Sequence, residues 1–430
     1  MDDHLVETYR SSTPNSRNLY ERAAAVMPGG DTRSVTYHDP YPSFVESGSG
    51  CRLRTEDGET LLDFLNNYTQ SVLGHAPPAV VEAVTERFER GNGFGAPTEE
   101  AVTLAERLVD RVPSIERVRF ANSGTEATMN AIRGAMAHTG KETILKVDGG
   151  YHGTHDTVEV AVDAAGREHR GIPRDVENRV LTTPFNDSEA LKEVFATAGD
   201  DLACFILEPL MGVAGGLPAD ESFLRTARDL TEDHGVPLVF DEVMTFRLAY
   251  GGAQERYGVT PDLTALGKFI GGGLPVGAFG GRADIMSAFH PAEGVADHSG
   301  TFNANPATMA GGIATLDALD EAAIAELNRL GERLRAGVGE VAADHDRPLQ
   351  VTGDGSMFQL HLTDGTVTDW ASSAAGTDAF EDLFLAMRNR GVFMAPRGMG
   401  NLSTPMAEGE IDTFLETLDA ALDDLPEASS

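Results

Sequence analysis

One lysine of this 430-residue chain sits among residues that could change its chemistry. Lys268 follows the apolar run 263–267 and precedes the glycine-dense stretch 271–273. Burial among apolar groups lowers the pKa of an amine, and a neutral lysine can add to a carbonyl to form a Schiff base. The simpler alternative is an ordinary lysine whose head group reaches solvent. The chain has only three other lysines, for which the flanking residues predict surface positions: Lys141, Lys146 and Lys192.

A carboxylate is expected close to the end of another strand. The apolar run 237–240 ends in Asp241 and Glu242. Ligands of open α/β sheets bind beyond the carboxyl ends of the strands, so Asp241 points to the expected site. A solvated strand end is the simpler interpretation. A metal site would need further carboxylate or histidine ligands, and the sequence shows no obvious set, so we predict no metal.

Residues 120–127 offer a place for a phosphate group. This segment follows a predicted strand and opens a predicted helix. The start of a helix presents N–H groups and a positive dipole end, and the hydroxyls of Ser123 and Thr125, on either side of Gly124, would add donors. Ser123 and Glu126 also have the spacing of a capping box, so an ordinary helix cap explains the pattern equally well.

An aromatic face follows the predicted strand 143–147. Tyr151 and His152 lie in a Gly-Tyr-His-Gly segment just beyond that strand, although Tyr151 could equally be packed in the core. A Schiff-base lysine, a carboxylate for the pyridinium nitrogen, a helix N-terminus for the phosphate and an aromatic face are together what pyridoxal 5'-phosphate (PLP) requires. The residues therefore predict a PLP-dependent enzyme.

Four motifs resemble those of the class III aminotransferases, which are fold-type I PLP enzymes, in order and spacing. The resemblance covers nearly the whole chain and is closest to the glutamate-1-semialdehyde 2,1-aminomutase branch, a group of isomerases. It implies an α/β fold with a mostly parallel, seven-stranded sheet in a large domain and a small α+β C-terminal domain. The motifs are Ser123–Ala127, Gly150–Gly153, Asp241–Val243 and Leu266–Lys268.

The resemblance also implies a role for each site residue. Lys268 would bind the cofactor and move a proton, Asp241 would keep the ring nitrogen protonated, and Tyr151 would stack on the ring with Val243 on the opposite face. Thr301 resembles the residue that reaches the phosphate from the other subunit, which implies a homodimer. The cofactor-binding set is Ser123, Gly124, Thr125, Tyr151, His152, Asp241, Val243, Lys268 and Thr301.

Three segments depart from the aminomutase pattern: 29–35, 208–214 and 395–403. The elements around Arg33 and Arg397 look more like relatives that transaminate β-amino acids, in which arginines bind the substrate carboxylate. A planar guanidinium pairs well with a carboxylate, although Arg33 and Arg397 could each instead be a turn residue paired with a nearby acid.

The expected substrates are therefore small molecules. We predict transamination between an amino acid, with β-amino acids as candidates, and a keto acid. The alternative is the aminomutase reaction of tetrapyrrole biosynthesis. A non-catalytic cofactor-binding scaffold is a third interpretation, and the intact pair of Lys268 and Asp241 argues against it.

Alternating strands and helices must position these residues. Candidate strands at 118–120, 143–147, 203–207 and 237–240 are separated by helical stretches, which predicts a mostly parallel sheet covered on both faces. After about residue 310 the pattern becomes α+β. We predict an N-terminal segment (1–60), a large PLP-binding α/β domain (61–310) and a C-terminal α+β domain (311–430). Residues 154–175 are a candidate lid.

The composition excludes several classes of partner. With 33 Lys and Arg against 68 Asp and Glu, the formal net charge is -35, which repels nucleic-acid phosphates and anionic membranes. High acid content with almost no lysine is typical of proteins from salt-saturated cytoplasms and predicts a halophile. No apolar run has membrane-spanning length, no signal peptide is evident, and the two cysteines cannot form a disulfide framework. We therefore predict a cytoplasmic location.

Overall fold

The computed structural model describes residues 1–162, 171–345 and 347–425, so residues 163–170 of the candidate lid lie outside the described part. The predicted α/β class is confirmed. The strands are β1 Val45–Ser49, β2 Arg52–Thr55, β3 Thr60–Asp63, β4 Arg117–Ala121, β5 Thr143–Val147, β6 Val180–Thr183, β7 Leu202–Leu207, β8 Leu210–Met211, β9 Leu217–Pro218, β10 Leu238–Asp241, β11 Leu263–Gly267, β12 Gly277–Gly281, β13 Leu349–Thr352, β14 Met357–Leu362, β15 Val392–Phe393 and β16 Met399–Asn401.

The α-helices are α1 Asp3–Ser12, α2 Pro14–Ala24, α3 Asn66–Thr69, α4 Pro78–Glu89, α5 Glu99–Arg111, α6 Gly124–Thr139, α7 Asp156–Glu159, α8 Arg174–Glu177, α9 Ser188–Ala198, α10 Glu221–Asp233, α11 Ala253–Tyr257, α12 Ala283–Met286, α13 Pro306–Ala318, α14 Glu321–Asp344, α15 Trp370–Ser373, α16 Thr377–Asn389 and α17 Glu408–Asp423. No helix of the described residues is both long and apolar enough to cross a membrane.

Contacts divide the chain into two compact units. The terminal unit contains Met1–Pro77, Glu326–Val367 and the residues from Ser373 onward, and the central unit contains Pro78–Ala325 with Thr368–Ser372. The terminal unit thus combines the two ends of the chain. The three-part division at 60 and 310 stays a prediction.

The central unit is built on a seven-stranded sheet in the order β4-β12-β11-β10-β7-β5-β6. Only β12 runs antiparallel to its neighbours. Strands β7, β10 and β11 are buried along their whole length, as expected for a sheet with helices on both faces. Helix α6 presents the small residues Ala127, Ala131 and Ala135 to the core, which lets it pack closely on the strands.

Strand β12 was not expected, because its sequence Gly-Ala-Phe-Gly-Gly is poor in strand-forming residues. The structure gives the reason for these glycines. A Cβ atom on Gly277 would lie 2.0 Å from the carbonyl oxygen of Ser123, and one on Gly280 would lie 2.6 Å from that of Arg117. Glycine is therefore required where this strand closely approaches β4 and the turn after it.

The terminal unit contains two smaller sheets, in the orders β1-β2-β3-β15 and β13-β14-β16. Strands β1, β2 and β3 pair antiparallel in sequence order. Helix α17 buries one apolar face that includes Ile411 and Leu418, and its Phe414 packs against Phe64 with ring centres 4.6 Å apart.

Candidate active site

Four adjacent parallel strands of the central sheet end at the same edge. Lys268 directly follows β11, Asp241 is the last residue of β10, and Glu208 directly follows β7. The loop after β5 carries Tyr151 and His152. Because β11, β10, β7 and β5 are neighbours, the topology brings together the predicted lysine, carboxylate and aromatic residues.

The backbone at Lys268 is in the left-handed region, with φ at 55°. A residue with a Cβ atom adopts this conformation only at a cost of about 1–3 kcal/mol, and such residues concentrate at functional sites. The preceding Gly267 lies in a crowded place: a Cβ atom there would be 3.2 Å from Cγ1 of Val243 and 3.6 Å from Cα of Gly124. The predicted Val243 and Gly124 therefore lie next to the lysine-bearing segment.

Asp241 is buried and held by two hydrogen bonds. Its Oδ1 accepts the backbone N–H of Val243 at 3.0 Å, and its Oδ2 lies 2.9 Å from Nδ1 of His152. Burial lowers the pKa of His152, which favours the neutral ring, and because a carboxylate can only accept, Nδ1 is the atom that donates to Asp241. The His152 Nε2 atom is buried without a partner among the described residues. The geometry thus shows His152 orienting Asp241, whereas its predicted contact with the cofactor stays a prediction.

Glu208 is a site residue that the sequence interpretation did not single out. Its two carboxylate oxygens accept the backbone N–H groups of Tyr151 at 3.0 Å and of Gly212 at 3.1 Å. Burial raises the pKa of Glu208, the charge of Asp241 raises it further, and Lys268 acts in the opposite direction. The available signal was the one that identified Asp241, an acid at the end of a fully apolar strand.

Helix α6 begins at the same edge of the sheet. Ser123 is its N-cap and accepts the N–H of Glu126 at 3.1 Å, while Glu126 accepts the N–H of Asn122 at 2.8 Å. The cap is therefore present, and it satisfies one of the four N–H groups that start a helix. The N–H groups of Gly124 and Thr125 begin the helix and can donate to an anion.

The loop that carries Thr301 is attached to the same region. Asn303 accepts a hydrogen bond from Asn122 at 2.7 Å, directly before the helix cap. Thr301 is exposed, and the neighbouring Phe302 is 68% exposed. Its predicted contact with a phosphate of another subunit stays a prediction.

The two predicted substrate arginines, Arg33 and Arg397, lie in the terminal unit, near one tyrosine. Arg33 donates to Oδ1 of Asn67 at 2.6 Å, and its guanidinium carbon lies 5.4 Å from the ring centre of Tyr68. Burial raises the pKa of Tyr68 to about 12, while the positive charges of Arg33 and Arg397 both act to lower it. The structure therefore brings the two arginines to the same phenol.

The predicted surface position of Lys146 is wrong. This residue is fully buried in β5, between β7 and β6, and its ammonium donates to the carbonyl oxygens of Val158 at 2.7 Å and Val160 at 2.8 Å. Burial lowers its pKa to about 8. Lys268 is therefore not the only lysine with desolvating neighbours, because an inner strand of a parallel sheet is covered by other elements on both faces.

The residues at this edge fit PLP. An amine and an oriented carboxylate occupy adjacent strand ends, and a helix of sixteen residues begins beside them. A Cβ atom on Gly124 would lie 3.0 Å from Cγ1 of Val243. Because glycine has no side chain, the backbone at the start of the helix can lie this close to Val243. The buried, unpartnered Nε2 of His152 adds a polar atom that no described residue uses.

A family model, Aminotransferase class-III, matches residues 34–422 of the chain. The chain belongs to this family. It is a PLP-dependent enzyme, and a transaminase solved with PLP bound is among its structural neighbours. A curated relative, glutamate-1-semialdehyde 2,1-aminomutase of Methanothermobacter thermautotrophicus, is 46% identical over 386 residues, which are 89% of this chain and 92% of the relative. Another aminomutase, from Methanopyrus kandleri, is 42% identical over 97% of this chain and 99% of the relative.

Solved structures confirm the fold. An omega-transaminase from Sphaerobacter thermophilus is 43% identical, with a TM-score of 0.92 over 95% of this chain and 97% of its own. A β-phenylalanine aminotransferase from Variovorax paradoxus is 34% identical, with a TM-score of 0.92 over 99% and 98% of the two chains. A glutamate-1-semialdehyde aminomutase from Pseudomonas aeruginosa is 25% identical, with a TM-score of 0.89 over 98% and 97%. The comparisons support the aminomutase alternative better than the predicted transamination, because the curated relatives are aminomutases, although the first two of these structures are of transaminases.

Proposed function

We propose that the enzyme transfers an amino group between a carboxylate-bearing amine and a keto acid, with Arg33 and Arg397 binding the carboxylate. The proposal rests on one observation, the two guanidinium groups near Tyr68. A planar guanidinium offers paired N–H donors that match a carboxylate. The β-phenylalanine aminotransferase among the structural neighbours adds support for β-amino acids as donors.

The residues of the central unit would divide the chemistry between them. Bound PLP would supply an electron sink that stabilises negative charge on the reacting carbon of the substrate. Nζ of Lys268 would move a proton to and from that carbon as a general acid and base. Asp241, held by His152 and by the N–H of Val243, would keep the proton on the pyridine nitrogen. Ser123, Gly124 and Thr125 would bind the phosphate.

Spectroscopy with single amine donors tests the proposed reaction. The holoenzyme would be titrated in concentrated potassium chloride with α-amino acids, β-amino acids and diaminovalerate while its visible absorbance is recorded. The expected result is that an ordinary α- or β-amino acid changes the visible absorbance of the bound cofactor and that a keto acid reverses this change. A response confined to diaminovalerate and its semialdehyde relatives would contradict transamination and identify the aminomutase reaction.

Variants of the two arginines test the carboxylate site. A hydrogen bond to a charged group contributes about 1.5–3 kcal/mol, so Arg33→Met and Arg397→Met should each raise KM for carboxylate donors by roughly 10- to 100-fold. Amines without a carboxylate should be unaffected. Arg54→Met is the matched control, because Arg54 is exposed and pairs only with Glu46 among the described residues. An equal loss with both classes of amine would contradict the assignment.

The aminomutase is the second candidate, because the curated relatives named above carry that name at 42% and 46% identity. In that reaction the amino group moves within one five-carbon substrate, so the intermediate has to stay bound between the two half-reactions. The candidate lid at 154–175 would then be essential. The donor titration separates this candidate from the first.

We also propose a homodimer in which Thr301 reaches the phosphate bound by the other subunit. The exposed Phe302 beside it supports this proposal, because a subunit interface would cover this large apolar side chain. Light scattering in concentrated potassium chloride measures the mass, and a monomer of 45.7 kDa would contradict the proposal. A cytoplasmic location stays a prediction.

A further inference from the structure

Lys146 is a buried cation that the proposed reaction does not use. The chain has four lysines, and this one has no exposed surface. Moving an ammonium group out of water is costly unless its donors find partners. Here the partners are two main-chain carbonyls, those of Val158 and Val160, at 2.7 and 2.8 Å.

These two carbonyls belong to the far end of the active-site loop, which we define as residues 148–160. Lys146 precedes the loop on β5 and binds it 12 and 14 residues downstream. Between these points the loop is held by side chains of the site, because Glu208 accepts the N–H of Tyr151 and Thr128 donates to the carbonyl of His152 at 2.6 Å. Lys146 therefore closes the far end of the loop, together with the main-chain hydrogen bond from the N–H of Gly149 to the carbonyl of Ala161 at 2.9 Å.

Charged and titratable groups of the site face Lys146 from several elements. Glu208 after β7 and Asp148 in the loop both raise its pKa, against the larger effect of burial. The positive charge of Lys146 in turn lowers the pKa of His152 and of His155, for both of which burial is the main cause. The ammonium thus acts on the same histidine that orients Asp241, and it favours the neutral ring.

We propose that Lys146 is a positioning residue of the active site, whose ammonium fixes the loop 148–160 and thereby holds Tyr151 and His152 in place for the cofactor. The proposal rests on the PLP assignment and not on which amine is the substrate. Lys146 is fully buried with its ammonium on the carbonyls of Val158 and Val160, and in this proposal it acts through the loop.

Hydrogen exchange of the holoenzyme tests this role without any substrate. Lys146→Met keeps the length of the side chain and removes the charge and the donors. Amide exchange in peptides covering 148–162 should become at least 10-fold faster, while peptides of α6 and β10 keep their protection. Lys192→Met is the matched control, because Lys192 is half exposed and pairs with Glu189 on its own helix.

Two further readouts separate positioning from a purely structural role. PLP should dissociate roughly 10- to 100-fold more readily from Lys146→Met, and kcat should fall while KM for the amine changes little. Lys146→Gln keeps one donor group. Its exchange rates, PLP dissociation and kcat should lie between those of Lys146→Met and those of the wild type. Unchanged exchange in 148–162, an even loss of protection across β5, β6 and β7, or failure of both variants to fold would overturn the proposal.

Discussion

Glu208→Gln tests the electrostatics of the site most directly. Each carboxylate oxygen of Glu208 accepts one main-chain N–H, from Tyr151 and from Gly212. The second oxygen of the carboxyl group keeps acceptor capacity whether or not it carries a proton, whereas an amide has a single acceptor oxygen and its NH2 group would face the second N–H in either orientation. One buried N–H is therefore left without an acceptor, which costs about 1–3 kcal/mol.

The pH dependence of this loss has a defined sign. The pKa of Glu208 is raised above its ordinary value, mainly by burial. At pH values between the ordinary pKa and the raised pKa, the folded wild type holds a proton that the unfolded chain has released. The free energy of unfolding of the wild type therefore falls as pH rises through this range. Glutamine does not titrate. The deficit of Glu208→Gln should therefore be largest near pH 5 and should shrink as pH rises toward 8.

Urea unfolding in concentrated potassium chloride at a series of pH values measures this difference. A deficit of about 2 kcal/mol in the hydrogen-bonded loop should also weaken PLP binding by roughly 30-fold. Glu189→Gln is the control, because Glu189 is 82% exposed at its side chain. A deficit that grows with pH, or a variant as stable as the wild type at pH 5, would refute the reasoning.

Four more predictions follow from single residues or from the charge. Lys268→Ala should abolish the absorbance change with every amine while leaving circular dichroism and urea unfolding like those of the wild type. Gly153→Ala, at φ +97° and with its Cβ atom 2.4 Å from Oγ1 of Thr125, should lower PLP affinity and stability, whereas Gly140→Ala, at φ +71° with open space around it, should lower stability alone by about 1 kcal/mol. Burial lowers the pKa of His38 to about 4, so the unfolded chain takes up the proton first and stability should fall as pH drops from 6.5 to 4; His38→Phe should flatten this part of the pH profile. Potassium chloride should stabilise the protein against urea over the molar range, because it screens a net charge of -35.

Much of the central sheet could be predicted, because its strands are apolar along their whole length. The runs at 143–147, 203–207 and 237–240 all became strands within two residues of the expected bounds. Strand β12 could not be predicted, because its glycines are required by close contact with the backbone of Ser123 and Arg117, which are distant in sequence. The same limit applies to Lys146, whose partners lie on a loop that ordinary periodicity does not describe.

The site residues divide in a similar way. Lys268 and Asp241 carry a local signal, a reactive group at the end of an apolar strand, and the structure brings these two strand ends together in adjacent strands. Glu208 carries the same signal, but its partners are main-chain N–H groups of other segments, which no motif displays. The pairing of His152 with Asp241 likewise depends on the spatial order of β5, β7 and β10.

The overall charge of the chain limits where attraction for anionic ligands can come from. A chain with a net charge of -35 repels anions at long range, yet its cofactor is a phosphate ester and its proposed substrates carry carboxylates. In the proposed site, attraction therefore has to come from short-range groups: the N-terminus of α6 for the phosphate, and the guanidinium groups of Arg33 and Arg397 for the carboxylate. Concentrated salt largely screens repulsion between charges farther apart than a Debye length, and it screens short-range contacts of this kind less. We therefore expect substrate affinity to improve as salt rises to molar levels, where an enzyme relying on long-range attraction would lose affinity.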